Sequence, residues 1–294
     1  MDAVDVAVVI PCHNREDTVA EAVHSVLDQD FRALEVIAVD DASTDRTVEI
    51  LEGISDPRLR IARNPGPRGP SAARNHGVSL SAAPWIAFQD SDDVWLPGKL
   101  TRQMARLKDS PFVAAYCGMV VKADALPETA VQGRHPDPSI RPLEGDILPS
   151  LSRGSYISTQ MLVVRRDIFD DVGGFDEDLP ALVDWELMLR VAQTGPVAFV
   201  DDDLVVQRMS DNSITRSSRK RLDAQDYVLR KHAEVMARQP GALAHNHHRL
   251  AGGYRMFKDY GTAARHALQA VKAAPGNPRY AAQAAYLYAR SLLS

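Results

Sequence analysis

The chain has 294 residues, 45% of them hydrophobic and 25% charged, which excludes a disordered or fibrous protein and leaves ample length for a buried core. Its formal charge of −5 conceals an asymmetry: residues 1–215 carry 20 Lys+Arg against 35 Asp+Glu, whereas residues 216–294 carry 14 against 4. Two distant cysteines, Cys12 and Cys117, supply neither a disulfide framework nor zinc-type spacing, so a reducing compartment is the default.

The opening stretch "MDAVDVAVVIPCHN" has no basic segment ahead of a signal-type apolar run. No run anywhere reaches the roughly 18 apolar residues of a membrane span. The expectation is a soluble, cytoplasmic protein.

In chain order, "VDVAVVI" (4–10) and "LEVIAV" (34–39) are β-branched and almost continuously apolar, as parallel strands covered on both faces are. Between them, Val19, Ala22, Val23, Val26 and Leu27 follow the i, i+3, i+4, i+7, i+8 stripe of a helix facing a core. Strand, helix, strand makes a right-handed crossover. The alternation continues with a helix near 45–53, a strand at 58–63, a Gly/Pro-rich loop, a helix near 71–80 and the strand "WIAF" at 85–88. Pro97 suits the first turn of a further helix bearing Leu100, Met104 and Leu107 on one face. "FVAAYCGMVV" (112–121) reads as another strand.

Residues 124–149, with five prolines and little periodicity, read as a long loop or lid. Regular structure resumes with a strand at 160–166, a turn "VGGFDEDLP", a helix "DWELMLRVAQ" and a strand "VAFVDDDLVVQR". From about Ser217 onward the chain reads as helical, and "GTAARHALQAVKAAPGNP" faintly resembles one tetratricopeptide helix pair without a second copy. This pattern predicts an α/β fold, a mostly parallel sheet flanked by helices, with a helical C-terminal extension.

Open α/β sheets bind ligands beyond the carboxyl ends of their strands. After the first strand comes "PCHNRED", after the second "DDASTD", after "WIAF" "QDSDD". No glycine fingerprint follows strand one and no GxxxxGK[ST] loop exists, which argues against a nicotinamide or P-loop site. Asp90, Asp92 and Asp93 at the mouth of a buried strand repel one another unless a cation sits among them. Asp-x-Asp offers hard oxygen ligands for Mg²⁺ or Mn²⁺ and leaves positions open for phosphate oxygens. A solvated turn is the alternative for the tripeptide taken alone.

The segments "VAVVIPCHNRE", "VIAVDDASTDRT", "GPRGPSAARNHGV", "WIAFQDSDDVWLPGKL", "VGGFDEDL" and "VDWELMLRVA" occur in the order and approximate spacing of the family-2 glycosyltransferases with the GT-A fold. Over residues 4 to about 215 the chain strongly resembles that family. The resemblance implies a GT-A domain at 1–215, with a nucleotide-binding half to about 110 and an acceptor half at 111–215, followed by a basic helical extension at 216–294. It implies that Pro11 and His13 line the nucleotide pocket and that Asp41, with Asp40 beside it, accepts a hydrogen bond from the base. Arg74 then lies beside the donor, Asp90 near the ribose, and Asp92 on the metal. Asp93 is a neighbour without an assigned role.

Asp184 matches the family's catalytic base. In the first turn of its helix the macrodipole favours the ionised carboxylate that such a base needs. Glu186, about 200° further round the helix, falls outside that pocket. Two positions depart from the pattern: Val183 stands where many relatives have glutamate, and Ser210 where histidine is frequent. These departures bear on metal affinity and activity and leave the fold untouched.

The resemblance implies an inverting transferase that moves a sugar from a nucleotide-diphosphate donor, UDP first among them, to a glycan or lipid-linked acceptor in cell-surface polysaccharide or glycolipid assembly. The competing readings are a non-catalytic relative with a degraded site and a metal-dependent nucleotidyltransferase. "HNHH" (245–248) reads as a solvated cluster in the basic extension, and Trp95 and Trp185 read as core packing. The basic extension could meet anionic lipid at the inner face of a membrane, dock on the acidic body, or be solvated. Nucleic acid is a poor partner for it, since aromatic interleaving is absent.

Overall fold

In the computed structural model, which describes residues 4–66, 69–123, 131–209 and 219–293, the almost unbroken apolar runs become strands. They are β1 (Val6–Cys12), β2 (Leu34–Asp40), β3 (Leu59–Arg63), β4 (Trp85–Phe88), β5 (Val94–Trp95), β6 (Ala114–Ala123), β7 (Gly133–His135), β8 (Leu162–Arg165) and β9 (Val197–Met209). Among the described residues these form one mixed sheet in the order β3-β2-β1-β4-β8-β6-β9-β5, with β7 paired to β6.

The four strands from β3 to β4 are mutually parallel. β8 runs antiparallel to both β4 and β6, while β9 lies parallel to β6. Every residue of β1 is buried, the condition of a strand covered on both faces. β3 ends the parallel side and exposes Arg60 and Arg63; charge on an edge strand discourages pairing with another chain.

The helix Val19–Leu27 buries the stripe that the spacing predicts: Val19, Ala22, Val23, Val26 and Leu27. The helix Pro70–Ser79 packs tightly on the parallel strands, because Gly77 faces them. A Cβ there would lie 2.4 Å from Cγ1 of Val9 and 3.0 Å from Cγ2 of Val39. Trp95 and Trp185 are both buried.

Several details depart from expectation. Pro97 does not enter the helix, which spans Lys99–Leu107 behind a left-handed Gly98. Arg166–Asp171 forms a short helix where the sequence suggested only strand and turn, and the two-residue β5 is below the length at which alternation can be recognised. Within 124–149, residues 124–130 lie outside the described residues. The rest is no free lid: β7 pairs with β6, Tyr116 donates its hydroxyl to the Leu143 carbonyl at 2.7 Å, and Gly145 bridges to Val197.

Two compact units divide the chain, Met1–Ile147 with Tyr156–Asp178 and Val183–Ser213, and Leu148–Ser155 with Leu179–Leu182 and Ile214–Ser294. The first holds the sheet. The expected boundary after residue 215, and Ser210 with it, lies outside the described residues.

The second unit is helical: Leu148–Leu151, Arg219–Lys231, Ala233–Ala237, Ala242–Met256, Tyr260–Ala273 and Pro278–Ser291. The histidine cluster, expected to be solvated, is half-buried. His247 Nδ1 lies 3.0 Å from Nδ1 of His266, and His248 Nδ1 lies 2.7 Å from Oε1 of Gln283. Burial, with His266 next, pushes the His247 imidazole down to about 4, so it packs as a neutral side chain between helices. Asn246, fully buried, donates to the Ser152 carbonyl at 2.7 Å.

Candidate functional site

Because β1, β2 and β4 are parallel and in register, Cys12 with Asp40 and Val9 with Phe88, the loops that follow them emerge at one edge of the sheet. Pro11 lies within β1 opposite Val39 and His13 is the first residue beyond that strand. The His13 Nδ1 sits 2.8 Å from the Asp41 carbonyl; a carbonyl only accepts, so Nδ1 carries the proton. The next residue, Asn14, turns the chain at φ 51° and accepts from the Thr44 amide at 2.8 Å. The Arg15 amide donates to the Thr47 hydroxyl at 2.7 Å. These cross-links stitch "HNR" to "DDASTDRT" and hold both loops at the strand ends.

The two acids at the end of β2 are buried and differently used. Asp40 caps its own turn by accepting from the Ser43 amide at 3.1 Å. Asp41 accepts from Nδ2 of Asn64 at 2.8 Å and from the Gly69 amide at 2.7 Å. Gly69 precedes Pro70 at φ 137°, a conformation that favours glycine. A carboxylate offers about four lone-pair directions, so two remain at Asp41 for a further donor.

Two arginine–carboxylate pairs sit at the end of β4. Arg74, buried on the helix Pro70–Ser79, donates from Nη2 to Asp90 Oδ1 at 2.5 Å, and its guanidinium lies over the Phe175 ring at 5.5 Å. Its Nε is buried without a hydrogen-bond partner among the described residues. Arg15 approaches Asp92 at 3.2 Å. Burial pushes the Asp92 carboxyl up, with repulsion from Asp90 second and Arg15 opposing. Asp90 and Asp92 therefore form a carboxylate pair that gains from a nearby cation, and two arginines meet that need in part.

Asp93 points elsewhere. It is buried, accepting from Nε2 of Gln160 at 2.7 Å and from the Arg208 amide at 2.9 Å. The Arg208 guanidinium in turn makes two 2.6 Å bonds to Glu21. Burial, followed by the charges of Asp90 and Asp92, holds the Asp93 carboxyl well above the usual range. Asp93 thus clamps the acidic loop to the far end of β9.

Asp184 lies in the first turn of the helix Val183–Val191, half-buried, and accepts from the Trp185 amide at 2.7 Å. A relay ties its helix to the Arg74 helix. Glu186, fully buried, pairs with Arg190. Arg190 also donates to the carbonyls of Val172 and Gly174, the latter at 2.7 Å. Phe175, next in chain, exchanges two 2.9 Å bonds with the Asn75 side chain, and Asn75 adjoins Arg74. Gly174 needs its missing Cβ: φ is +68° and a Cβ would lie 2.8 Å from Asn75 Oδ1.

A hard divalent cation fits the donor set at Asp90 and Asp92. Among the described residues no three His, Cys, Asp or Glu side chains are grouped to hold a metal. One or two carboxylates with open positions suit Mg²⁺ or Mn²⁺ completed by water and phosphate oxygens, and do not suit an all-protein Ca²⁺ or Zn²⁺ cage. Arg15, Asn64, Asn75, Phe175, Gln160 and Arg208 were missed from sequence. Each is an ordinary polar or aromatic residue, and only its partner, up to 115 positions away, reveals its part.

A sequence profile described as "Glycosyl transferase family 2" matches residues 7–173, more than half of the chain. The succinoglycan biosynthesis protein ExoO of Rhizobium meliloti is 28% identical over 275 residues, covering 87% of this chain and 75% of ExoO. The Escherichia coli protein WfaP, named as a UDP-Glc:alpha-D-GlcNAc-diphosphoundecaprenol beta-1,3-glucosyltransferase, is 26% identical and covers 76% of this chain and 85% of WfaP. Among solved structures, residues 1–349 of S. aureus TarS in complex with UDP-GlcNAc superpose with a TM-score of 0.71 at 18% identity, covering 97% of this chain and 87% of that one. At that identity the likeness establishes the fold, which is GT-A.

Proposed function

From membership of glycosyl transferase family 2, to which the chain belongs, we propose that it transfers a sugar from a nucleotide-diphosphate donor to an acceptor hydroxyl with inversion at the anomeric carbon. The observation that carries this reading is the meeting, at the carboxyl ends of β1, β2 and β4, of Asp41 with the paired Arg74–Asp90 and Arg15–Asp92. A base and ribose need hydrogen-bond acceptors, and a diphosphate needs positive charge. The edge supplies both, from the loops after these strands and the helix that carries Arg74.

Asp41 keeps lone pairs for the base, held in place by Asn64 and Gly69. His13 and Pro11 border it from β1, and Asp40 shapes the turn alongside. Arg74 orients Asp90 toward the ribose. Asp92, with Asp90 beside it, would hold Mg²⁺ or Mn²⁺, which when bound neutralises the charge developing on the departing diphosphate. Asp184 accepts the proton of the acceptor hydroxyl as that oxygen attacks the anomeric carbon. The bond to the phosphate oxygen breaks from the opposite face and the diphosphate leaves with the electron pair.

UDP is the proposed nucleotide, because WfaP is named for UDP-Glc and the fold accommodates UDP-GlcNAc in TarS. A glycan or lipid-linked acceptor in cell-surface polysaccharide assembly accords with the names of ExoO and WfaP, and we place the encounter with it at the cytoplasmic face of a membrane. No described helix is long and apolar enough to cross a membrane.

The test is calorimetric titration of UDP, dTDP, GDP and CDP with and without Mn²⁺, followed by sugar-transfer and donor-hydrolysis assays. UDP binding that requires metal and is lost in Asp92→Ala, with turnover lost in Asp184→Asn, is the expected result. Failure of a folded sample to bind any of the four refutes the reading.

A further inference from the structure

The helical unit carries an exposed apolar surface that the transfer reaction does not use. The helix Pro278–Ser291 returns alongside Tyr260–Ala273, since Arg290 Nη2 reaches the Tyr260 hydroxyl at 3.0 Å and its guanidinium stacks 4.7 Å over that ring. The end of the last helix thereby lies beside the turn after Ala242–Met256. Two apolar pairs stand exposed on either side of that contact, Met256 with Phe257 shortly before Tyr260 and Leu292 with Leu293 just after Arg290, of which Met256, Leu292 and Leu293 are 76%, 71% and 85% exposed.

The rim of this surface is cationic. Arg255 and Lys258 are exposed and flank the first pair, and Arg290 adjoins the second. Among the described residues no carboxylate is paired with any of the three. The acid nearest in sequence, Asp259, is engaged: it caps the helix through the Thr262 amide at 3.1 Å and pairs with Arg219 at 2.9 Å. No Asp or Glu follows residue 259.

We propose that this end of the helical unit is a membrane-docking surface, whose leucines, Met256 and Phe257 enter the headgroup region of an anionic bilayer while Arg255, Lys258 and Arg290 meet lipid phosphates. Apolar side chains rimmed by basic ones bind such surfaces through buried area and charge together. The cationic rim complements lipid phosphates, and the apolar side chains within it suit the headgroup region that such phosphates border. This deepens the membrane part of the proposed function and is independent of the sugar transfer.

The experiment is co-sedimentation of the full chain with phosphatidylcholine vesicles, with and without phosphatidylglycerol, at low and high salt. Binding to the anionic vesicles alone, weakened by salt, is expected. At about 1 kcal/mol per surface cation, Arg255→Ala with Lys258→Ala weakens it by about 30-fold. Leu292→Asp with Leu293→Asp removes it. UDP binding and the circular dichroism of each variant are measured on the same samples and stay at wild-type values, which separates this surface from the donor site. Wild-type protein that ignores anionic vesicles, or variants that bind as well as wild type, overturn the proposal. So does self-association in sedimentation velocity that the leucine variants abolish, since the face is then an interface between copies.

Discussion

Asp93→Asn isolates what the third acid of "DSDD" does. Both Asp93 oxygens face donors, Gln160 Nε2 at 2.7 Å and the Arg208 amide at 2.9 Å. Asparagine keeps the shape but offers one acceptor oxygen, and its amide must then confront one of the two donors. A hydrogen bond to a charged group is worth about 1.5–3 kcal/mol, and a buried unpaired donor costs about 1–3 kcal/mol. Relief of the repulsion from Asp90 and Asp92 returns part of that, leaving a loss of about 2 kcal/mol in urea unfolding. Adding Gln160→Glu supplies an acceptor for the new amide while the asparagine oxygen serves Arg208, and recovers most of the loss. A single variant within about 0.5 kcal/mol of wild type would mean that Asp93 is protonated in the native state. A double variant worse than the single would show that the charge at 93, not the hydrogen-bond pattern, is what the loop needs. Either result refutes the clamp.

Three further outcomes are expected. Gly77→Ala drives a methyl to 2.4 Å from Val9 and lowers stability by about 1–3 kcal/mol, read as a drop in melting temperature. Glu186→Ala leaves Arg190, only 17% exposed, without its carboxylate and costs about 3–5 kcal/mol in the same assay. Lys99 is fully buried, 2.8 Å from Gln103 Oε1 and 3.7 Å from the Trp95 ring centre, and burial pushes its ammonium down to about 8. Between there and its unfolded value near 10.4, the unfolded chain holds the extra proton. Stability should therefore rise with pH across that window, by on the order of 3 kcal/mol, and Lys99→Met should flatten the rise.

The strands of the parallel half, the helix Val19–Leu27 and the acidic loop after β4 were legible in the sequence because each is a local pattern. Continuous β-branched runs have one stable environment, a strand covered on both faces. A 3.6-residue stripe has one packing face, and three crowded carboxylates are costly in any fold without a cation near them. The acids at 40, 41, 90 and 92 stood out because acidity after a strand is written in consecutive letters, while the roles expected of them and of Asp184 came from the resemblance to a known family.

Tertiary structure decided which of those acids faces which partner. Nothing in the letters tells Asp92, which meets Arg15, from Asp93, which turns inward to Gln160 and Arg208. Nor do they show Asn75 posing as a strand edge for Phe175, a hundred positions away. Hydrogen-bond partners are chosen by position after the chain has packed, and the polar residues that serve are of types found on any surface. The histidines at 245–248 make the same point in reverse: read as solvated, they pack between helices, because burial depends on how helices cross and not on how polar a tetrapeptide is. The fold follows from where apolar residues recur along the chain, and the geometry of the site from where distant polar residues come to rest.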